Sequence, residues 1–260
     1  MAKKAQSPLK NKPLRYPGQS LDEEIQNLID DKIVSSYWFA AVFVLITILE
    51  WAAYLGKWPR QPGAFTVVAL IAVAYCVWQF FKVRKRTRAL RLGRDGERLV
   101  GQFLEGLRTH GARIFHDVPG AGFNLDHVVI APQGVFVIET KTIAKPYPKA
   151  KVTIAGEQLF VADRRMERDP VQQVRAQVSW LTQVLEESTG RRLPVRGAVV
   201  FPGWFVEPPP SGSSLGLWVL EPKAIPAFIE REPERLPLSD VSLAAYHLSR
   251  YIQTSEKPAR

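Results

Sequence analysis

Two apolar runs near the start of the chain restrict its fold more than any other feature. Tyr37 to Leu55 (YWFAAVFVLITILEWAAYL) holds 19 residues with one acid, Glu50, and Ala64 to Phe81 (AFTVVALIAVAYCVWQFF) holds 18 with one amide, Gln79. A hydrocarbon core about 30 Å thick needs roughly 20 helical residues, so both runs are long enough to cross a bilayer. Trp38, Trp58 and Trp78 stand near their ends, where interfacial aromatics belong. The competing reading is a pair of buried core helices in a soluble protein. A cleaved signal peptide does not fit, because the first run starts late and a second follows at once. Glu50 and Gln79 are costly in lipid and call for a hydrogen bond to each other or to a partner helix, which leaves room for a homo-oligomer through the spans.

Charge orients the pair. The turn between the runs, G-K-W-P-R-Q-P-G, carries Lys57 and Arg60, whereas Lys3, Lys4, Lys10, Lys12, Arg15 and Lys32 precede the first run. Lys82, Arg84, Lys85, Arg86, Arg88, Arg91 and Arg94 follow the second. The positive-inside rule puts both ends of the chain in the cytoplasm and the turn outside. Residues 95–260 hold 20 Lys and Arg against 19 Asp and Glu, a net of +1 out of the +10 of the whole chain. The basic excess therefore marks topology and a contact with anionic lipid at 82–94, at about 1 kcal/mol per residue near the surface, and not a broad nucleic-acid face. Cys76 is the only cysteine, so neither a disulfide framework nor a cysteine zinc site is available, and the four histidines show no metal-ligand spacing.

The chain divides into a basic tail and amphipathic helix over 1–34, a transmembrane hairpin over 35–82, a basic juxtamembrane linker over 83–94, and a soluble domain over 95–260. Ser20 and Glu23 read as a capping box ahead of Leu21, Ile25, Leu28, Ile29 and Ile33 at helical spacing. In the soluble part, helical spacing covers 95–110 and strands are expected at 112–118, 125–131 and 135–141. A hairpin follows around Gly156, then a helix from Pro170 to about Glu187. Strands at 196–201 and 215–220 and helices at 222–230 and 239–253 complete the series. The fold class is α/β, a mixed sheet flanked by helices.

One stretch carries chemistry. Val135 to Thr142 reads V-F-V-I-E-T-K-T, an apolar strand running into Glu139 and Lys141. If Pro132 and Gln133 form a two-residue turn, Asp126 on the preceding strand lies opposite Glu139, with Lys141 on the same face. If Gly134 is instead the bulge of a three-residue loop, Asp126 meets Thr140 and Glu139 points to the other face. Periodicity leaves both registers open. Paired carboxylates need a cation close by, and carboxylate oxygens with an adjacent ammonium suit Mg²⁺ or Mn²⁺, which takes phosphate oxygens and water as its remaining ligands. Lys145, Lys149 and Lys151 could meet phosphates, though solvated loop lysines are common. His127 reads as an ordinary strand residue.

Three stretches, G-R-D-G-E-R-L-V-G-Q-F-L-E-G-L, F-N-L-D-H-V-V-I-A-P-Q-G-V-F-V-I-E-T-K and D-P-V-Q-Q-V-R-A-Q, resemble the nuclease-related domain (NERD) family across about residues 93–202. That family resembles a branch of the PD-(D/E)xK phosphodiesterases, which includes restriction endonucleases and Holliday-junction resolvases. The resemblance implies a restriction-endonuclease-like fold with Asp126 and Glu139 as metal carboxylates and Glu97 assisting them. Lys141 would position water and Gln173 would lie beside the site. It implies Mg²⁺-dependent hydrolysis of DNA or RNA phosphodiesters. Asp169 stands where the family has Asn, a slight change because both cap helices. The rival expectation is a catalytically silent, membrane-tethered module that binds nucleic acid or protein, favoured by the near-neutral soluble domain.

Overall fold

The computed structural model describes residues 13–58, 62–166, 168–208 and 215–255. The tail over 1–12 and the middle of the interhelical turn, 59–61, lie outside the described residues. The chain separates into two compact units: Ser20–Leu92, and the residues up to Gln19 together with Gly93–Arg260.

The first unit is helical. Helix α1 (Gln19–Leu28) passes through a π-helical turn (Ile29–Val34) into α2 (Ser35–Leu55), and α3 begins at Pro62 and continues to Glu105. Ser20 thus sits in the first turn of α1 rather than ahead of it. Residues 83–94, expected as a linker, are helical within α3. The two long helices are apolar enough to cross a membrane, and only 6% and 11% of their most apolar windows are buried. A buried soluble core would show the reverse. Trp51 Nε1 donates to Thr66 Oγ1 at 3.0 Å, and Thr47 Oγ1 donates to the Phe65 carbonyl at 3.0 Å, which ties α2 to α3. The amide of Gln79 donates to Tyr75 Oη one turn back at 2.7 Å, so its partner lies on its own helix rather than at Glu50.

The second unit is built on two mixed sheets. Strands β1 (Arg113–Pro119), β2 (Asn124–Ala131), β3 (Gly134–Thr140), β7 (Val195–Val200) and β9 (Trp218–Leu220) form one sheet in that spatial order. Pairing is antiparallel from β1 to β3 and parallel from β3 through β7 to β9. The hairpin around Gly156, β4 (Lys151–Ala155) and β5 (Gln158–Val161), belongs to a separate sheet with β6 (Arg164–Arg165) and β8 (Phe205–Val206). Single-strand periodicity could not reveal that split, nor the two-residue strands β6 and β8.

Alternation sorts the large sheet into two faces. Val128, Ile130, Val135 and Val137 pack against Leu181 and Leu185 of α4 (Pro170–Thr189) and Val241, Leu248 and Ile252 of α6 (Leu238–Ser255). Val129, Phe136 and Ile138 point the other way, onto Val100 and Leu104 of α3 and Ile225 and Ile229 of α5 (Ile225–Glu230). Each face therefore buries one set of alternate residues under helices, which explains the nearly unbroken apolar runs of β2 and β3.

Candidate active site

The turn joining β2 and β3 decides whether a site exists. Ala131 pairs with Gly134 and His127 with Ile138, so Pro132 and Gln133 form the two-residue turn and the three-residue alternative is excluded. In that register Asp126 and Glu139 both lie on the face covered by α4. Asp126 Oδ2 accepts the Thr140 backbone N–H at 2.7 Å, which locks the end of the hairpin.

Glu139 is buried, at 3% exposure, and both its oxygens are engaged. Oε1 accepts from Lys141 Nζ at 2.6 Å and from Gln173 Nε2 at 2.7 Å, and Oε2 accepts from Gln177 Nε2 at 2.7 Å. Lys141 Nζ also donates to Gln173 Oε1 at 2.9 Å, closing a triangle of acid, ammonium and amide. The helix supplying both glutamines starts where expected. Asp169 caps it, Oδ1 accepting the Val171 N–H at 2.9 Å, and Pro170 occupies the first turn. Gln173 and Gln177 are one turn apart, so both amides reach one carboxylate. Gln177 was not anticipated. Its signal was present in the apolar register Val171, Val174, Gln177 and Leu181, where a buried amide stands among aliphatic residues.

Glu97 reaches the site from the opposite face. It lies within the long helix α3, not in a first turn, so a helix-dipole role does not apply; it is 8% exposed. A Cβ on Gly96 would fall 1.7 Å from Thr142 Oγ1. Only glycine permits this approach, which sets α3 directly against the residue after Lys141.

The electrostatics show how crowded the acids are. Burial, then the nearby carboxylates of Asp117 and Glu139, raise Glu97 from 4.5 to about 8. Burial, then Glu139 and Glu97, push Asp126 well above the usual carboxylate range, against the opposing pull of the Thr140 N–H and Lys141. Three carboxylates thus converge on one ammonium. Among the described residues no three His, Cys, Asp or Glu side chains are grouped closely enough to hold a metal ion together. Mg²⁺ asks for less, one or two carboxylates with water and phosphate oxygens completing its shell, and the all-oxygen donor set suits it.

Other residues considered from the sequence are placed differently. Lys151 is paired with Glu207 at 2.9 Å, and Lys145 sits over the Trp204 ring at 5.5 Å. His127 is a fully buried strand residue, but Nδ1 lies 2.8 Å from Nδ1 of His116 directly across the ladder. Burial holds both rings below their ordinary pKa, so the pair shares its hydrogen bond as neutral imidazoles. Asp117, with φ at +49°, is also buried beside the site and accepts from Asn124 Nδ2 at 2.9 Å.

No curated protein matches the chain. The solved structure of Pyrococcus furiosus SfsA in complex with Ca²⁺ aligns with 49% of this chain and 54% of its own, at 15% identity and a TM-score of 0.26, so the chain spans about half the length of that protein. Residues 92–202, the part of the chain that holds Glu97, Asp126, Glu139, Lys141, Gln173 and Gln177, match the nuclease-related domain family.

Proposed function

We propose that the chain is a membrane-anchored nuclease that hydrolyses DNA or RNA phosphodiester bonds with Mg²⁺ or Mn²⁺ on the cytosolic side. The observation that carries this reading is the convergence of Asp126, Glu139 and Glu97 on Lys141 at one end of the β2–β3 hairpin. Asp126 and Glu139 would hold the cation, with Glu97 beside them. A divalent ion there would lower the pKa of a bound water and offset charge on the phosphoryl oxygens. The chain's own part is positional. Gln173 and Glu139 hold Lys141 Nζ at a fixed point, from which it orients the attacking water and faces developing negative charge. Gln177 fixes the second oxygen of Glu139. The two apolar helices anchor the domain, and the basic stretch 82–94 meets anionic lipid.

A second reading, a silent nucleic-acid- or protein-binding module, is favoured by one feature: the Lys141 ammonium and the amides of Gln173 and Gln177 satisfy both oxygens of Glu139 without a metal ion. The two separate cleanly. Full-length protein in detergent should cleave at least one substrate of a DNA and RNA panel with Mg²⁺ or Mn²⁺, and Glu139→Ala or Lys141→Ala should lower the rate by about 100-fold or more. Absence of both cleavage and calorimetric Mn²⁺ binding would leave only the binding module.

A further inference from the structure

The unit that carries the candidate site is not continuous in sequence. Residues ahead of the membrane hairpin pack into it, and their contacts fall on the acids beside Lys141. Arg15 Nη1 lies 3.4 Å from Asp117 Oδ2 and 3.4 Å from the Asp117 carbonyl. The Arg15 side chain is 10% exposed and that of Asp117 2%. Arg98 stacks over the Tyr16 ring, 6.0 Å from its centroid. Gly101 faces Pro17 so closely that an added Cβ would be 3.4 Å from Pro17 Cβ. Gly18, at φ +75°, lies against Arg94, where a Cβ would meet Arg94 Cγ at 2.8 Å. The Gly18 backbone N–H donates to Glu97.

Two of these contacts bear on the site. Asp117 is the carboxylate that acts most strongly on Glu97, and Arg15 supplies Asp117 with a cation. Buried acids without a partner are unfavourable, so one arm that brings a guanidinium to Asp117 and an N–H to Glu97 fixes where both carboxylates stand. We propose that residues 15–18 are a positioning element of the candidate active site, with Arg15 holding Asp117 and Gly18 holding Glu97. The element touches no reacting atoms. It acts through Glu97, and so rests on the nuclease reading given above.

Because the arm precedes the hairpin, the full chain in detergent is the material to test, with inorganic Mn²⁺ as the probe. Arg15→Ala should weaken calorimetric Mn²⁺ binding by up to about tenfold, because Asp117, once released, no longer fixes Glu97, and Arg15→Lys should recover most of it. A loss of fold alone would not be repaired selectively in this way. In a Cys76→Ser background, the Pro17→Cys, Gly101→Cys pair should close a disulfide on mild oxidation, since the two Cβ positions are close to bonding separation. Wild-type Mn²⁺ affinity in Arg15→Ala overturns this inference and leaves the nuclease reading standing. Failure of the cysteine pair to close overturns it as well, even if Arg15→Ala does not fold. A wild-type protein that binds no Mn²⁺ removes the nuclease reading and this inference together, while closure of the pair would still report the docked arm.

Discussion

Glu139 is held so completely that its neighbours matter as much as the residue itself. Gln177 donates to Oε2, and removing it strips a donor from a buried carboxylate. Gln177→Leu should lower stability by about 1–3 kcal/mol by urea unfolding. The loss belongs nearer the low end, because Oε1 of Gln177 is itself a buried acceptor without a partner. Glu97 makes a prediction in pH. Its folded value of about 8 lies above the ordinary 4.5, so the folded protein binds this proton more tightly than the unfolded chain does. Its contribution to stability is full below about pH 4.5 and is lost as pH rises through about 8. The His116–His127 pair has the opposite sign: its rings are depressed, so its contribution is present above the ordinary value of 6.5 and lost as pH falls below it. Comparing Glu97→Gln with wild type isolates the first effect. In chelator, the variant should be more stable than wild type at pH 9 and nearly equal at pH 4.5. An advantage that does not grow with pH would refute the protonated Glu97.

At the scale of elements, the site depends on three placements: the β2–β3 turn, the start of α4 and the approach of α3. The last is the tightest. Gly96→Ala would set a methyl 1.7 Å from Thr142 Oγ1 and 2.8 Å from Thr142 Cβ, so α3 must move away and carry Glu97 with it. A displacement of about 1 Å is enough to reduce a catalysed rate by roughly 100-fold. Adding Thr142→Gly removes the obstructing side chain, and the double variant should regain much of the lost cleavage in a mutant cycle. Additive losses would mean that the close approach does not position Glu97. The placement of α4 was readable in advance, because a cap and a proline at the first turn are local signals. The β2–β3 register was not, because A-P-Q-G suits either loop length. The observed pairing of Ala131 with Gly134, closed by the Thr140 N–H on Asp126, is a cross-strand match that no signal within either strand specifies.

At the scale of the molecule, the proposed hairpin makes a topological prediction. With Cys76 replaced by serine, Lys57→Cys should react with a membrane-impermeant maleimide added outside intact cells, and Tyr147→Cys only after permeabilisation. The opposite pattern would invert the orientation. Cys76 itself lies within the second apolar run and must be removed for the labelling to be read. The docked N-terminal arm bears on the same question: residues 15–18 and 93–260 form one compact unit, so the proposed anchor must return the chain to the side on which it began.

The sequence by itself determined the features that depend on neighbours along the chain. These are the two apolar helices, the basic flanks, the strand alternation, the Asp169–Pro170 helix start and the E-T-K ending of β3. Each rests on hydrophobic period, dihedral preference or capping, which act over a few residues. Tertiary structure alone decided which of two registers put Glu139 beside Asp126, that Glu97 is buried in mid-helix, and that the small hairpin joins a second sheet. It alone paired His116 with His127, set Gln177 on Glu139, and brought Arg15 to Asp117 across 102 positions of chain. The reason is that these contacts join groups far apart in sequence, whose pairing depends on burial and charge compensation once the layers have closed.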